Sequence, residues 1–209
     1  MFGTFSENEI YPDSLRVANF YNSPAKITFG ESKIFTFDAK PEILEPDDTG
    51  FIYFPLKEID KQMIGNILEK VNLFFEIGES QQRGTLVLEG KITEDFSSLT
   101  EEDIRNAPQI ASKKQMMNFG KAKVNQKNEF TVDIENQGNS DLLIRSIFPS
   151  YGFKLESFPN SIKPGEFGKI ILSLTPKYKL KKFTGNVKIY SNSPADSELF
   201  IRLYGRIIK

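Results

Sequence analysis

The chain has neither cysteine nor histidine. Without thiols there are no disulfides, thiolate metal sites, iron–sulfur clusters or cysteine nucleophiles. Without imidazole there is no Ser-His triad, no ordinary zinc site and no proton shuttle poised near neutral pH. Tryptophan is missing too, which leaves 19 Phe and 7 Tyr to fill the cores. Charge of one sign is also lacking: 27 basic residues against 28 acidic ones give a net charge of −1. Bulk electrostatics therefore supplies no pull toward nucleic acid or anionic lipid, and no nucleic-acid partner is expected. No apolar run approaches the roughly 18 residues that a membrane-spanning helix needs. The first ten residues, MFGTFSENEI, have neither a basic start nor an apolar signal-like stretch. No phosphate-binding glycine loop, no GxSxG elbow and no metal-ligand spacing occurs, so neither a cofactor nor a metal is expected.

What is present is a repeat. Residues 161–176 (SIKPGEFGKIILSLTP) hold a Pro164-Gly165 turn, then Gly168, then the apolar run 170–174. Residues 44–56 (LEPDDTGFIYFPL) have the same shape, with Pro46, Gly50 and Ile52 each 118 residues earlier than Pro164, Gly168 and Ile170. Around these anchors, strand-forming and turn-forming residues alternate. Strand candidates fall at residues 14–22, 25–29, 33–39, 51–56, 65–77 and 85–92, with a turn spanning residues 78–84 and a possible helical turn within 57–65. Six short strands separated by turn signals are the pattern of a β-sandwich. In residues 33–39 the alternation sends Phe35 and Phe37 one way and Ile34 and Thr36 the other.

The second half replays that order. Phe119-Gly120 repeats Phe2-Gly3, and residues 129–147 repeat the stretch from Ser14 to Phe29, with Asn136 in the place of Asn22. Residues 153–158 parallel 33–39, and the closing Tyr204-Gly205-Arg206-Ile207 parallels Glu89-Gly90-Lys91-Ile92. A repeat this long, with strands and turns in the same order, indicates two copies of one fold. Between them, Ser98 followed by Glu101 reads as a capping box, with Glu101, Glu102 and Asp103 in a first turn and Pro108 limiting the helix to about two turns. The expected organisation is a sandwich at 1–93, a short helical linker at 94–108 and a second sandwich at 109–209. The second copy has a strand candidate before its Phe-Gly step, residues 109–117, which the first lacks. The expectation is a longer natural precursor carrying that strand and an export signal.

Each candidate site has a structural counter-reading. Asp47-Asp48 has too few oxygens at set spacing for calcium and reads as a turn. Glu101, Glu102 and Asp103 read as helix-start acids rather than a catalytic cluster. The basic segment Lys177, Lys179, Lys181 and Lys182, interleaved with Tyr178 and joined near the end by Arg202, Arg206 and Lys209, reads as a solvated or edge-protecting face. Its functional reading is polyanion binding. In Ser150-Tyr151-Gly152-Phe153, alternation with Leu155 sends Phe153 to the core and leaves Tyr151 as a candidate contact. The weak interaction candidates are therefore Tyr151, Tyr178, Lys177, Lys179, Lys181 and Lys182.

The order of motifs in the second half resembles the bacterial family known as domain of unknown function 1573. The motifs are Phe119-Gly120, Asn136-Gln137-Gly138, the short strand 142–144, Pro164 to Gly168 with the strand after it, Gly185, Ser191-Asn192 and Gly205. The resemblance covers residue 107 to the end well and residues 2–92 more weakly. The linker (Glu94-Asp95-Phe96-Ser97, Leu99, Ala107-Pro108) also resembles the joint of two-domain members from Bacteroidetes. The resemblance implies an immunoglobulin-like sandwich related to major-sperm-protein and ASPM-SPD-2-Hydin type domains, and export to the periplasm or cell envelope. It implies no activity. Many members carry Ser-Cys-Gly-Cys where this chain has Ser150-Tyr151-Gly152-Phe153, so any thiol role of that motif is closed to it.

Together these readings give an all-β chain of two tandem immunoglobulin-like sandwiches joined by a short helix. The expected role is non-catalytic binding or scaffolding in the bacterial envelope, through strand-edge or loop contacts with a protein partner. Two alternatives are a carbohydrate-binding module, which requires Tyr151, Tyr178 and Tyr190 on one open face, and a hydrolase, which requires two carboxylates facing each other in a cleft.

Overall fold

The computed structural model describes the backbone of residues 4–6 and all of residues 14–58 and 60–209. The Phe2-Gly3 step lies outside the described residues. The described residues are almost entirely β. In chain order the strands are β1 (Thr4–Ser6), β2 (Ser14–Ala18), β3 (Ala25–Phe29), β4 (Asp38–Lys40), β5 (Ile43–Leu44), β6 (Thr49–Tyr53), β7 (Gly65–Ile77) and β8 (Ser80–Thr93). After the helix α1 (Glu101–Arg105) come β9 (Ile110–Ala111), β10 (Met116–Lys123), β11 (Asn128–Asn136), β12 (Leu142–Pro149), β13 (Phe153–Ser157), β14 (Ser161–Ile162), β15 (Phe167–Leu174), β16 (Leu180–Ser191) and β17 (Glu198–Ile208). A single 3-10 turn sits at Lys61–Met63.

Two compact units result: Met1–Asp60 with Asn66–Ile92, and Lys61–Gly65 with Thr93–Lys209. The first has sheets ordered β1-β8-β7-β3-β5 and β2-β6-β4. The second has β10-β17-β16-β12-β14 and β13-β15-β11-β9. Strand for strand the orders match, except that β9 has no counterpart among the described residues of the first unit. Period-two burial explains the layering. Along β17, Ile201, Leu203, Gly205 and Ile207 are buried while Arg202, Tyr204 and Arg206 are exposed. In the second unit these residues meet Val132, Ile134, Ile170 and Leu172 of the other sheet in one apolar core.

A buried asparagine anchors each unit. Asn136 is fully buried at the end of β11. Its Nδ2 donates to the carbonyls of Ser140 (2.8 Å) and Ile162 (2.9 Å), and its Oδ1 accepts from the Gly138 N–H at 3.0 Å. Asn19 does the same at the end of β2: Nδ2 to Ser23 O (2.8 Å) and Leu44 O (2.9 Å), Oδ1 from Tyr21 N–H at 3.0 Å. The backbone repeats as well. Asn136 N–H reaches Glu166 O and Gly165 N–H reaches Asn136 O, just as Asn19 N–H reaches Asp48 O and Asp47 N–H reaches Asn19 O. The asparagine thus ties three things together: a strand end, the crossing to the other sheet, and the repeated proline turn. It leaves no buried polar group of its own unpaired, which is what permits an amide in an apolar core.

The same geometry explains the turn residues. Gly165 has φ +74° and its counterpart Asp47 has φ +65°, the left-handed region that glycine and, less readily, Asp and Asn accept. Asp47 is therefore a turn residue. Gly168 lies beneath Ile162 and Pro159, where a Cβ would come within 2.3 Å and 2.9 Å; Gly50 lies beneath Leu44 and Pro41 in the same way, at 2.9 Å and 3.0 Å. The β6 and β15 backbones pass too close under the preceding segment to carry a side chain there.

Several expectations need correction. The counterpart of Asn136 is Asn19 rather than Asn22, because only Asn19 is buried and reaches the β5 carbonyl. The single strand expected at residues 109–117 is two strands in different sheets: β9 pairs with β11 and β10 pairs in parallel with β17. The helix is capped by Thr100 and Asp103 rather than Ser98 and Glu101, and spans five residues. The bonds from Thr100 hold the Asp103 carboxyl below its ordinary pKa. The turn expected over 78–84 is only Gly78-Glu79, and β8 begins at Ser80. Residues 33–39 do not form a continuous strand. Ser32 Oγ accepts the N–H groups of Ile34 (3.1 Å) and Phe35 (3.0 Å) and turns the chain, leaving one bridge from Phe35 to Leu56 before β4. Phe35 is still buried, and it packs edge-on against Phe54.

The second unit also holds a nearly buried ion pair with a half-exposed lysine beside it. Glu94 accepts two bonds from Arg145, at 2.9 Å and 2.7 Å, and pairs with Lys61 at 3.2 Å. Ser146 Oγ donates to the Ile64 carbonyl close by. Parallel Arg–carboxylate bonds of this kind fix orientation as well as adding energy.

Replacing Asn136 by Ala strands the carbonyls of Ser140 and Ile162 and the N–H groups of Gly138 and Gln109, so a loss of about 3 kcal/mol is expected in denaturant unfolding. Asn22→Ala, at an exposed position three residues from the first asparagine, should leave stability within about 0.5 kcal/mol of the original.

Candidate functional site

The site begins at the turn between β12 and β13. Ser150 N–H donates to Asn186 O (2.8 Å), Asn186 N–H donates to Ser150 Oγ (2.9 Å), and Phe153 N–H closes the turn on Ser150 O (3.1 Å). Gly152, at φ +94°, supplies the left-handed step. Phe153 then enters a cluster of four phenyl rings, with centroids 5.8 Å from Phe119, 5.8 Å from Phe130 and 5.6 Å from Phe183. Such offset and edge-on contacts add to plain area burial. Two glycines make room. A Cβ on Gly185 would lie 2.5 Å from Phe153 and from Ser150 Oγ, and one on Gly205 would lie 2.2 Å from Phe119. With Phe153 held inward, Tyr151 is left wholly exposed at 101% of its reference surface.

Beside that tyrosine lies the outer face of β16 and β17. The register places Thr184 opposite Tyr204, Asn186 opposite Arg202 and Lys188 opposite Phe200. Between this face and the Tyr151 turn runs a shallow groove of about 770 Å³, lined by Tyr151, Lys182, Phe200, Arg202, Tyr204 and Met116 among others. A second groove of about 460 Å³ continues from it, sharing Lys182 and Tyr204 and adding Lys121, Lys181 and Arg206. Five cations thus flank a strip of exposed rings and thioether, and no carboxylate lines either groove. Among the described residues none of the five is ion-paired.

The structure brings together only some of the candidates. Tyr151 and Lys182 share the first groove, and Lys181 and Lys182 the second. Lys177, Tyr178 and Lys179 are exposed in the loop before β16 and line neither groove. Tyr190 is 1% exposed and packs edge-on against Phe148 at 5.8 Å, and burial raises its phenol above the ordinary tyrosine range. The three tyrosines of the carbohydrate alternative therefore do not share an open face. Glu31, Asp38 and Glu42 line a groove in the first unit, where Glu42 is paired with Lys26 (2.8 Å) and Asp38 with Lys40 (3.3 Å). Phe200 and Tyr204 were missed as site residues. Their signal was in plain sight: every second residue of β17 reads Phe200, Arg202, Tyr204, Arg206, and these face outward opposite a buried Ile201, Leu203, Gly205, Ile207.

The comparisons with known proteins fit this architecture. The family described as "Protein of unknown function (DUF1573)" matches residues 110–206. No curated protein is similar in sequence. A crystal structure of a protein of unknown function from Porphyromonas gingivalis W83 has the same fold, with a TM-score of 0.68 at 13% identity over 97% of this chain and 94% of that one. The ASH / PapD-like domain of human CEP192 is a more distant likeness, with a TM-score of 0.40 at 11% identity over 55% of this chain and 96% of that one.

Gly185→Ala forces a methyl group into Phe153 and the Ser150 hydroxyl. We expect a stability loss of about 1–3 kcal/mol, as for other overpacked sites. Amide exchange at Ser150 and Asn186 should speed up with it. Thr184→Ala, one residue away on the exposed face, should change neither.

Proposed function

Residues 110–206 are a DUF1573 segment of unknown function, and from that premise we propose that the chain is a non-catalytic binding protein of the bacterial envelope. In this reading it is a tandem of immunoglobulin-like sandwiches, at 1–93 and 109–209, with the short helical segment 94–108 between them. The matching strand order of the two units supports the tandem. The envelope placement is carried by the family likeness.

The observation that carries the binding role is the grooved face of β16 and β17. Lys182, Arg202, Lys181, Lys121 and Arg206 surround Tyr151, Phe200 and Tyr204 with no carboxylate among them. Exposed rings offer rigid contact area at small entropic cost, and unpaired cations select for a partner of opposite charge. The partner that fits is an acidic segment of a protein carrying aromatic or aliphatic side chains. The face is open and shallow, a geometry suited to surface recognition rather than to enclosing a small substrate.

Selection of displayed peptides on the immobilised chain tests this. Enriched peptides should be acidic and aromatic. Their binding should fall as salt rises from about 0.05 to 0.5 M, as expected for exposed charges that ions screen. Lys182→Glu with Arg202→Glu should weaken it by about tenfold or more. Peptides that bind the double variant equally well would contradict the proposal. Capture of acidic glycans on an array, with no peptide enriched, would contradict it too.

A further inference from the structure

A bulge lies on each side of β17 at nearly the same level. On β10 the register slips between Asn118 and Gly120, so Phe119 and Gly120 together stand against Gly205. On β16 it slips between Leu180 and Phe183, so Lys181 and Lys182 together stand against Arg206. Gly120 makes its step at φ +78°, and its N–H donates to Asn118 Oδ1 at 2.8 Å. Bulges re-aim side chains and recur beside functional sites.

Both slips gather cations. In a regular strand consecutive residues face opposite ways, yet Lys181 and Lys182 both line the second groove. Past the slip in β10, Lys121 stands beside Arg206. Arg206 is thus flanked by one lysine on β10 and two on β16, across strand spacings of about 5 Å. All four cations are exposed, and among the described residues none is ion-paired. Tyr204, Asn118 and the bare glycines 120 and 205 complete the lining, with no carboxylate. Like charges side by side on neighbouring strands repel. Folding alone therefore gives no reason for this cluster in a chain of 27 basic and 28 acidic residues.

Charge and shape together select the occupant. A carboxylate brings one charge and two oxygens to four cations. A phosphate monoester brings nearly two charges and three free oxygens, one for each of the three strands, and arginine binds it with parallel bonds. We propose that the second groove holds a phosphate monoester, carried on a serine or threonine of the acidic segment that lies along β17. This rests on the peptide-binding reading given above and adds a register to it. The phosphate meets Arg206, a carboxylate meets Arg202 and an aromatic ring meets Phe200. Along β17 those positions lie about 13 Å and about 20 Å from Arg206, the reach of four and six residues of an extended chain.

The test is calorimetric titration of the full chain with a synthetic peptide holding phosphoserine, a glutamate four residues along and a phenylalanine two residues beyond. Its twin has glutamate in place of the phosphoserine. At about pH 7.5 the phosphopeptide should bind about tenfold more tightly than the twin. Inorganic phosphate, which cannot reach the first groove, should bind about tenfold more weakly than the phosphopeptide. The margin over the twin should fall about threefold or more at about pH 5, where the phosphate loses its second charge. The chain has no imidazole to follow that change. Lys121→Gln with Arg206→Gln changes two exposed positions and relieves their repulsion, so the variant should unfold at no lower urea concentration while binding both peptides alike. Equal binding of the two peptides by the original chain would overturn the phosphate site and leave the peptide-binding reading standing. No binding of either would overturn both. Inorganic phosphate bound as tightly as the phosphopeptide, or an undiminished preference in the double variant, would also overturn the proposal.

Discussion

A side-chain amide with no solvent around it holds each unit together at its most demanding point. At the end of β2 and of β11 the chain leaves one sheet and crosses to the other, and backbone groups are left without ladder partners. Asn19 and Asn136 meet those groups with a donor pair and an acceptor in fixed positions. The proline turn before the next strand then hangs from the same residue through its backbone. Serine is too short to reach both carbonyls, and a carboxylate would oppose them with charge. In a dry core a partly satisfied polar network is worse than none, so position, rotamer and residue type are constrained at once. The Asp47 and Gly165 turns, the covered Gly50 and Gly168, and the prolines above them all follow from where that amide must point.

The candidate binding face is downstream of this constraint. Once β12, β16 and β17 are in register, Gly185 and Gly205 leave room for Phe153 and Phe119, and the four-ring cluster holds the Ser150–Phe153 turn in place. Tyr151 is exposed because it sits at the tip of that turn. The outward residues of β17 are presented by the same alternation that buries Ile201 and Leu203. The candidate face is thus mounted on strands and on a turn pinned to a strand, which favours a preformed surface over one assembled on binding.

Much of the fold was legible in the amino-acid order. The offset of 118 residues between the two turns is real in space, and β3 and β7 lie where alternation and turn residues put them. What failed was local. Asn22 and Asn19 look alike in a string of letters, and only burial distinguishes a turn residue from an anchor. The stretch from Gln109 to Met117 reads as one strand because nothing in its pattern marks the place where the chain passes from one sheet to the other. Residues 33–39 alternate well, yet the Ser32 hydroxyl takes the N–H groups that a ladder would need. The site was legible in part: Tyr151 and the lysines at 181 and 182 stood out as exceptions to the repeat, whereas Phe200 and Tyr204 were hidden within a good strand.

The central claim is that one buried amide makes the same three bonds in both units. The direct measurement is NMR of the side-chain NH2 groups of Asn19 and Asn136, by exchange with solvent and by coupling across the hydrogen bonds to the carbonyls of Leu44 and Ile162. The account predicts slow exchange for both, far slower than for exposed Asn22, with both cross-bond couplings observed. Rapid exchange of either amide, or slow exchange at Asn136 alone, would contradict it.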